Sequence, residues 1–351
     1  SMRLHLVLLM SLVWAAFCTH WLVLLLLALV VVTHRCLPGL TGARRRPLLV
    51  FVLSLLIGNL LLFKALSQLQ LTGDTWVLPV GLSYVTFRLL HVVLDVFFGR
   101  LPPMPLVDLA VYCLFFPTFV AGPVDRFQRF NINEASLDLR HLNFGLLRIG
   151  VGVGKKMLLA DQLRRRVYPL VAGLSVARPL HLMGVSYGLL GVLYLDFSAY
   201  SDIAIGAALL LGIQVMENFD WPLLKPSLPR FWRSWHISVY SFIRDYFFFP
   251  LFATRTSELK MQAGLFLTFV VFMLWHRISP IFFLLGLYMG LGVVGSAAFD
   301  RVKARRPGLR RFLRRRELQP LLVLLTVSYI ALGTLILHWD GYLTGAGEVV
   351  P

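Results

Sequence analysis

Eleven largely apolar runs follow one another along this chain with short polar breaks between them. They occupy residues 4–32, 48–66, 76–98, 105–120, 144–160, 181–195, 203–213, 237–252, 263–275, 281–299 and 318–338. A helix crossing a bilayer core needs roughly 20 predominantly apolar residues. Hydrophobic residues make up 58% of the chain, charged residues only 15%, and the mean hydropathy is +0.76. A soluble domain is nearer half apolar and about a quarter charged. The expectation is an all-α fold: one polytopic integral membrane helical bundle over residues 1–351, with about 9–11 membrane segments. Runs 203–213 and 237–252 are too short to cross alone and suit re-entrant or tilted helices buried inside protein.

The net charge is +17, with basic residues clustered at 35–46, 126–166 and 301–316. In a membrane protein this reads as cytoplasmic loop bias plus contact with anionic lipid headgroups. No aromatic-interleaved basic patch accompanies it, so nucleic acid is not an expected partner. The strongest cytoplasmic signals are Arg44-Arg45-Arg46 and 301–316. If 4–32 is one span, both the N-terminus and Pro351 lie outside. The start resembles a signal peptide without a clean cleavage site, so a retained span or a tight helical pair is expected. Ser1 before Met2 has the look of a tag scar. The placement is multi-pass in the cytoplasmic (inner) membrane. Cys18, Cys36 and Cys113 have no metal or thiol-redox spacing and read as apolar filler.

Against this background the polar residues carry the information. His276 and Arg277 stand between the runs 263–275 and 281–299, deep in membrane-grade sequence. An imidazole there is costly and normally faces a protein interior or a wet cavity. It is also the side chain best suited to proton transfer near neutral pH. His236 closes the aromatic-basic stretch 231–236, which holds Trp232, Arg233 and Trp235. Helical spacing would align Arg233, His236 or Ile237, Tyr240 and Arg244 on one stripe able to line a cavity. The two tryptophans are alternatively interfacial anchors. Arg244 and Asp245 are adjacent, so on a helix they diverge and are expected to find other partners. Asp196 and Tyr200 share a helical face, either as site residues or as hydrogen-bonding glue between helices. Asn218 sits in a polar strip, 216–222, where it would cap a helix or satisfy a break. His5, His20, His34, His91, His141, His181 and His338 carry less weight, most lying near predicted ends or loops. No nucleotide-binding, dinucleotide, zinc-protease or serine-hydrolase signature is present, and no ligand spacing supports a metal.

Taken in order, the motifs resemble those of the membrane-bound O-acyltransferase (MBOAT) family over roughly residues 79–292. They are the stretches 79–87, 115–127 (with Gly122-Pro123-Val124-Asp125-Arg126), 195–202, 217–219, 231–238, 244–246 and 274–276. Motif detail is similar to the bacterial DltB-like and alginate O-acetyltransferase-like branch. The Gly-Pro-Val-Asp-Arg stretch and the sequence after Tyr246 look more like the D-alanyl transfer enzymes, because 249–255 lacks the glycine-asparagine-arginine loop of the alginate enzymes. One departure stands out: the family commonly has glycine where this chain has Arg277.

The resemblance implies an O-acyltransferase with a central constriction and no tightly bound cofactor. An acyl thioester, on an acyl carrier protein phosphopantetheine or as acyl-CoA, would meet a hydroxyl of an envelope polymer or lipid acceptor. His276 would act as general base. His236 would orient the acceptor or bond the oxyanion, and Arg233 or Arg244 would add charge stabilisation. Burial would keep His276 neutral. Basic residues Arg126, Arg129, Lys155, Lys156 and Arg164 to Arg166 would steer the anionic donor. A proton-coupled transporter could use the same histidines as a relay, but it predicts inverted repeats, which the sequence lacks.

Overall fold

The computed structural model describes residues 2–43, 45–69, 81–130, 138–171, 178–252 and 257–344. The start of the 79–87 motif, Arg44, the end of the loop 249–255 and Pro351 lie outside the described residues, as does the side chain of His338. All regular elements among the described residues are helical; one isolated β-bridge joins Phe219 and Trp235. Among the described residues, six helical stretches are long and apolar enough to cross a membrane: Met2–Thr41, Arg45–Ser67, Pro179–Leu210, Glu258–His276, Pro280–Arg305 and Arg316–Leu337. The chain is a multi-pass α-helical membrane protein. The other predicted segments are shorter helices, too short to cross by this measure.

The described chain falls into two compact units, residues 1–152 with 200–217, and residues 153–199 with 218–351. In the first, α1 (Met2–Thr19) and α2 (Val23–Cys36) are separated by a turn at His20, whose φ is 52°. At 1.5 Å per residue a straight helix over the 40 residues Met2–Thr41 would be about 60 Å long, twice a bilayer core. The left-handed residue divides it, so the tight pair replaces the single span on which the expected orientation rested. Next come α3 (Arg45–Leu69), α4 (Leu82–Phe97), α5 (Leu106–Leu114) and the first part of α6 (Leu139–Gly154).

Polar groups pin this unit. Arg88 on α4 is 2% exposed, and its guanidinium donates to the carbonyls of Tyr112 and Cys113 at 3.0 Å and of Thr118 at 2.9 Å. The Tyr112 and Cys113 carbonyls lie where α5 ends and that of Thr118 lies in the turn after it, so a side chain satisfies backbone that a continuing helix would have paired. Tyr112 donates to the Asp125 carbonyl at 2.7 Å, and the Asp125 carboxylate accepts from the backbone of Arg126 and Met216. The stretch 115–127 is thereby a structural clasp. His91, which the sequence reading passed over, is 1% exposed and mid-helix; its Nε2 accepts from the backbone N–H of Phe127 at 2.9 Å, and its Nδ1 lies 3.4 Å from Asp95. Arg88→Ala is expected to leave three buried carbonyls unpaired, at about 1–3 kcal/mol each. A fall in thermal midpoint of the purified protein, or loss of the folded form, would register it; an unchanged midpoint would remove the clasp from the stability argument.

The second unit begins with a π-helical turn, Lys155–Ala160, and α7 (Asp161–Val171). It continues with α8 (Pro179–Leu210), one 32-residue helix where two separate segments, 181–195 and 203–213, were expected. Neutralised carboxylates explain the continuity. Asp196 pairs with Lys156 at 2.6 Å and with Arg164, and Asp202, in the first unit, pairs with Arg148 at 2.6 Å. In the first unit, Gly145 and Gly206 let α6 and α8 touch at backbone distance: a Cβ on Gly206 would lie 2.6 Å from the Gly145 carbonyl oxygen. Small residues serve membrane helices this way.

Short helices α9 (Leu228–Ser234), α10 (Ile237–Ile243) and α11 (Phe249–Phe252) follow, with a second π-helical turn at Arg244–Phe248. Then come α12 (Glu258–His276), α13 (Pro280–Arg305), α14 (Pro307–Leu313) and α15 (Gln319–Thr344). α13 and α15 are latched by Tyr288 and Tyr329, which stack at 4.3 Å and each donate to the other's carbonyl oxygen. Phe231, Trp232, Phe269, Met273, Leu285 and Met289 form the apolar core of this unit.

Candidate active site

The stretch 231–236 does not form one helix, and that decides the site. α9 stops at Ser234. Trp235 is extended (φ −107°, ψ 126°) and His236 is left-handed (φ 45°, ψ 53°) before α10 begins. Asp220 donates its backbone N–H to the Ser234 carbonyl at 3.0 Å, and Ile237 donates to the Asn218 carbonyl at 2.9 Å. Asn218 is fully buried, and its Oδ1 accepts from the Ser238 hydroxyl at 2.7 Å and from the Ser238 backbone N–H. The predicted cap is real: Asn218 holds the N-terminus of α10 from a distant loop.

This break overturns the expected stripe. Arg233 is exposed while His236 is 4% exposed, because the extended and left-handed residues reset the helical phase between them. Tyr240 follows His236 in α10, its N–H donating to the His236 carbonyl at 2.9 Å, and is half-buried against the apolar core. Arg244 is exposed and pairs with its neighbour Asp245 at 2.7 Å, although the two were expected to diverge. The guanidinium stem is long enough to fold back along the helix surface, so divergent Cβ directions do not keep the pair apart.

The His236 ring stands edge-on to Phe197, with centroids 4.7 Å apart at 90°. Phe197, Phe219, Trp235 and Phe231 continue this aromatic wall, with Trp235 stacked on Phe231 at 5.4 Å. Among the described residues the His236 Nε2 is buried without a hydrogen-bond partner, and so is the indole nitrogen of Trp232, which packs against Phe269 at 5.1 Å. Trp232 is a core residue here, not an interfacial anchor. A buried polar nitrogen left unpaired costs about 1–3 kcal/mol, and a catalytic role is one reason a fold retains such a group. His236 lies outside the six membrane-length helices. Burial, with the charge of His276 second, holds its imidazole below its ordinary pKa, so the ring is neutral at pH 7.

His276 is the last residue of α12 and is exposed. The expectation of a deeply buried base is therefore corrected: the helix ends there, and Arg277 to Ser279 form the link to α13. Serine at 279 and proline at 280 start the next helix, with the Ser279 hydroxyl accepting from the Phe282 N–H. The His276 ring is flanked by Trp275 at 4.5 Å, Phe272 at 5.1 Å and Phe282 at 6.3 Å. It is near enough to His236 for their charges to interact. The second unit thus holds two histidines on different elements, one buried and one accessible, close enough for their charges to interact.

Arg277 is extended (φ −152°, ψ 134°) and exposed, in the link between α12 and α13. Asp196 is taken up by Lys156 and Arg164, with Asp161 also on Lys156 at 3.0 Å, which makes it a tie between helices. Lys156 and Arg164 are correspondingly engaged in ion pairs, while Arg165 and Arg166 are exposed. Tyr200 belongs to the first unit, where its hydroxyl is hydrogen-bonded to the backbone of Ala121.

The profile of the membrane-bound O-acyltransferase family matches residues 5–330, beyond both ends of the motif-bearing core 79–292. A probable alginate O-acetylase of Pseudomonas aeruginosa is 34% identical over 219 residues, 61% of this chain and 42% of that protein. A teichoic acid D-alanyltransferase of Streptococcus thermophilus is 27% identical over 290 residues, 75% of this chain and 68% of that protein. A peptidoglycan O-acetyltransferase of Helicobacter pylori is 31% identical over 202 residues, covering 55% and 38%. The match thus spans less than half the length of the alginate and peptidoglycan relatives. Identity is higher toward the alginate enzyme and coverage greater toward the D-alanyl one, so local motifs do not assign a branch. The chain belongs to the membrane-bound O-acyltransferase family.

Proposed function

We propose that this protein is a membrane O-acyltransferase that moves an acyl group from a thioester donor to a hydroxyl of an envelope polymer or lipid. The observation that carries this is a buried His236, its Nε2 unpaired among the described residues, with accessible His276 in the same unit and near enough for their charges to interact. The donor would be an acyl carrier protein or coenzyme A thioester reaching the site from the cytoplasm, with Arg165 and Arg166 among the exposed cations able to steer it. The protein would act in the cytoplasmic membrane without a tightly bound cofactor.

In this reading His276 takes the proton of the acceptor hydroxyl as its oxygen attacks the thioester carbonyl carbon. The carbonyl π electrons move to oxygen, and His236, if its Nε2 carries the proton, donates to that oxyanion. Collapse reforms the carbonyl and breaks the C–S bond. The leaving thiolate recovers the proton from His276, so the ester and a free thiol are formed and both histidines are restored. An exposed base suits a reaction whose two substrates must both reach it. A ring held neutral by burial suits a hydrogen-bond donor that should not itself ionise.

Reconstitution in liposomes with a panel of thioester donors and polymer acceptors, read by mass spectrometry of the acceptor, tests the reading. Ester formation on no acceptor, by protein that is folded and monodisperse, would refute it. The same assay examines Arg277. A cation beside the reaction centre would repel an aminoacyl donor and attract an anionic group. Arg277→Gly is expected to lose anionic substrates selectively and to gain an aminoacyl donor, with Arg277→Lys intermediate. An equal loss on every substrate would leave Arg277 without a role in selection.

A further inference from the structure

Outside the histidine site, the second unit carries an open, largely apolar groove. It lies between α15 and the turn Pro222–Leu224 and has a volume of about 640 Å³. Its walls are Leu223 and Leu224 on the turn and Val323 and Val327 on α15, with Arg316 and Gln319 completing the lining. Gln319, Val323 and Val327 are spaced four apart and fall on one helix face. The polar residues therefore stand at the N-terminal end of an apolar stripe. From Gln319 to Val327 the stripe runs about 12 Å at 1.5 Å per residue.

Both sides of the groove are held in place. The Gln319 amide donates to the carbonyls of Leu313 at 2.9 Å and Arg315 at 3.4 Å, which ties the Arg316 turn to the start of α15. The opposing turn is set by left-handed Trp221 (φ 46°) ahead of Pro222, with the Leu224 N–H donating to the Trp221 carbonyl at 3.1 Å. Charge surrounds the polar end. Arg310, Arg311, Arg314, Arg315 and Arg316 are all exposed, and none makes an ion pair among the described residues. A basic cluster directly before a membrane-length helix attracts anionic lipid headgroups, at about 1 kcal/mol per basic residue. What the groove adds is a fixed seat.

We propose that this groove binds one anionic phospholipid, its phosphate on Arg316 and one acyl chain along Val323 and Val327 against Leu223 and Leu224. A zwitterionic phospholipid would satisfy the apolar walls but brings a quaternary ammonium that offsets its phosphate, leaving the basic cluster no net counter-charge. A soluble phosphate would satisfy Arg316 and leave the walls bare. The site is independent of the acyl-transfer reading and its residues are not part of that machinery.

The full chain, purified in detergent and equilibrated with equal phosphatidylglycerol and phosphatidylcholine, is examined by native mass spectrometry. The wild type is expected to retain one phosphatidylglycerol in preference to phosphatidylcholine. Arg316→Ala is expected to reduce that preference about fivefold, the factor for about 1 kcal/mol per basic residue. Val323→Trp, which fills the groove, is expected to lose the bound lipid of either kind. Leu224→Trp, on an exposed turn residue, fills the same groove should the α15 variant fold poorly. Equal retention of the two lipids by the wild type would overturn the proposal. So would an unchanged lipid count in both tryptophan variants, or an Arg310→Ala effect equal to that of Arg316→Ala, since each means diffuse attraction. A groove-filling variant that changes only the ratio of monomer to dimer would assign the groove to a second copy and overturn it as well.

Discussion

His276→Ala is expected to lower acyl transfer by roughly 10²–10⁴-fold, the usual contribution of a positioned general base, while the protein stays folded and membrane-inserted. The structure makes the second half of that statement firm. His276 is exposed at the end of α12, where its ring lies beside Trp275, Phe272 and Phe282, and it is not a member of the unit's apolar core. Removing an exposed side chain away from a cap or a buried network costs little stability. Loss of turnover with an unchanged thermal midpoint therefore isolates chemistry from folding. Wild-type turnover by purified, monodisperse His276→Ala protein would take this residue out of the mechanism.

His236→Ala should also be severely impaired, by roughly 10²–10³-fold if the ring supplies an oxyanion donor, but here two effects mix. His236 is left-handed, a conformation that costs an ordinary residue energy and that Asn tolerates better than Ala. Its ring also fills space beside Phe197. His236→Asn is the cleaner variant: it keeps the backbone conformation and a hydrogen-bonding amide. Partial activity in His236→Asn and His236→Gln, with near loss in His236→Ala, fits an orienting or oxyanion role. Full inactivity of His236→Gln together with activity of His276→Gln would mean that the two roles are reversed. Measuring each variant at saturating acceptor separates a positioning defect, seen in KM, from loss of transition-state stabilisation, seen in kcat.

Several features were legible in the residues themselves. The apolar runs separated by short polar breaks announced membrane helices because bilayer thickness sets their length. The order of the motifs from Gly122-Pro123 to Trp275-His276 pointed to the family, whose profile covers residues 5–330. The capping role of Asn218 followed from its place in a polar strip before a proline-punctuated loop. His91 was not legible. Its partners, Asp95 four residues on and the Phe127 N–H on another segment, become a site only when α4 packs against the loop after α5.

Where helical periodicity was extended through residues that do not stay helical, it misled. Arg233 and His236 are three apart, yet the extended Trp235 and left-handed His236 between α9 and α10 put one in the open and the other in the core. Along α8 the segments 181–195 and 203–213 were expected apart, but Lys156, Arg164 and Arg148, tens of residues away in sequence, neutralise Asp196 and Asp202 between them and the helix runs on. Of the two readings open for Asp196, site residue or glue between helices, the ion pairs fit the second. By itself, then, the sequence determined that this chain is a multi-pass helical membrane protein of a recognisable family with two histidines as the candidates for chemistry. Only the tertiary structure decided which of them is buried and which is open. Burial and hydrogen-bond partners belong to contacts between distant segments, and no local pattern of apolar and polar residues encodes where a helix will stop against its neighbours.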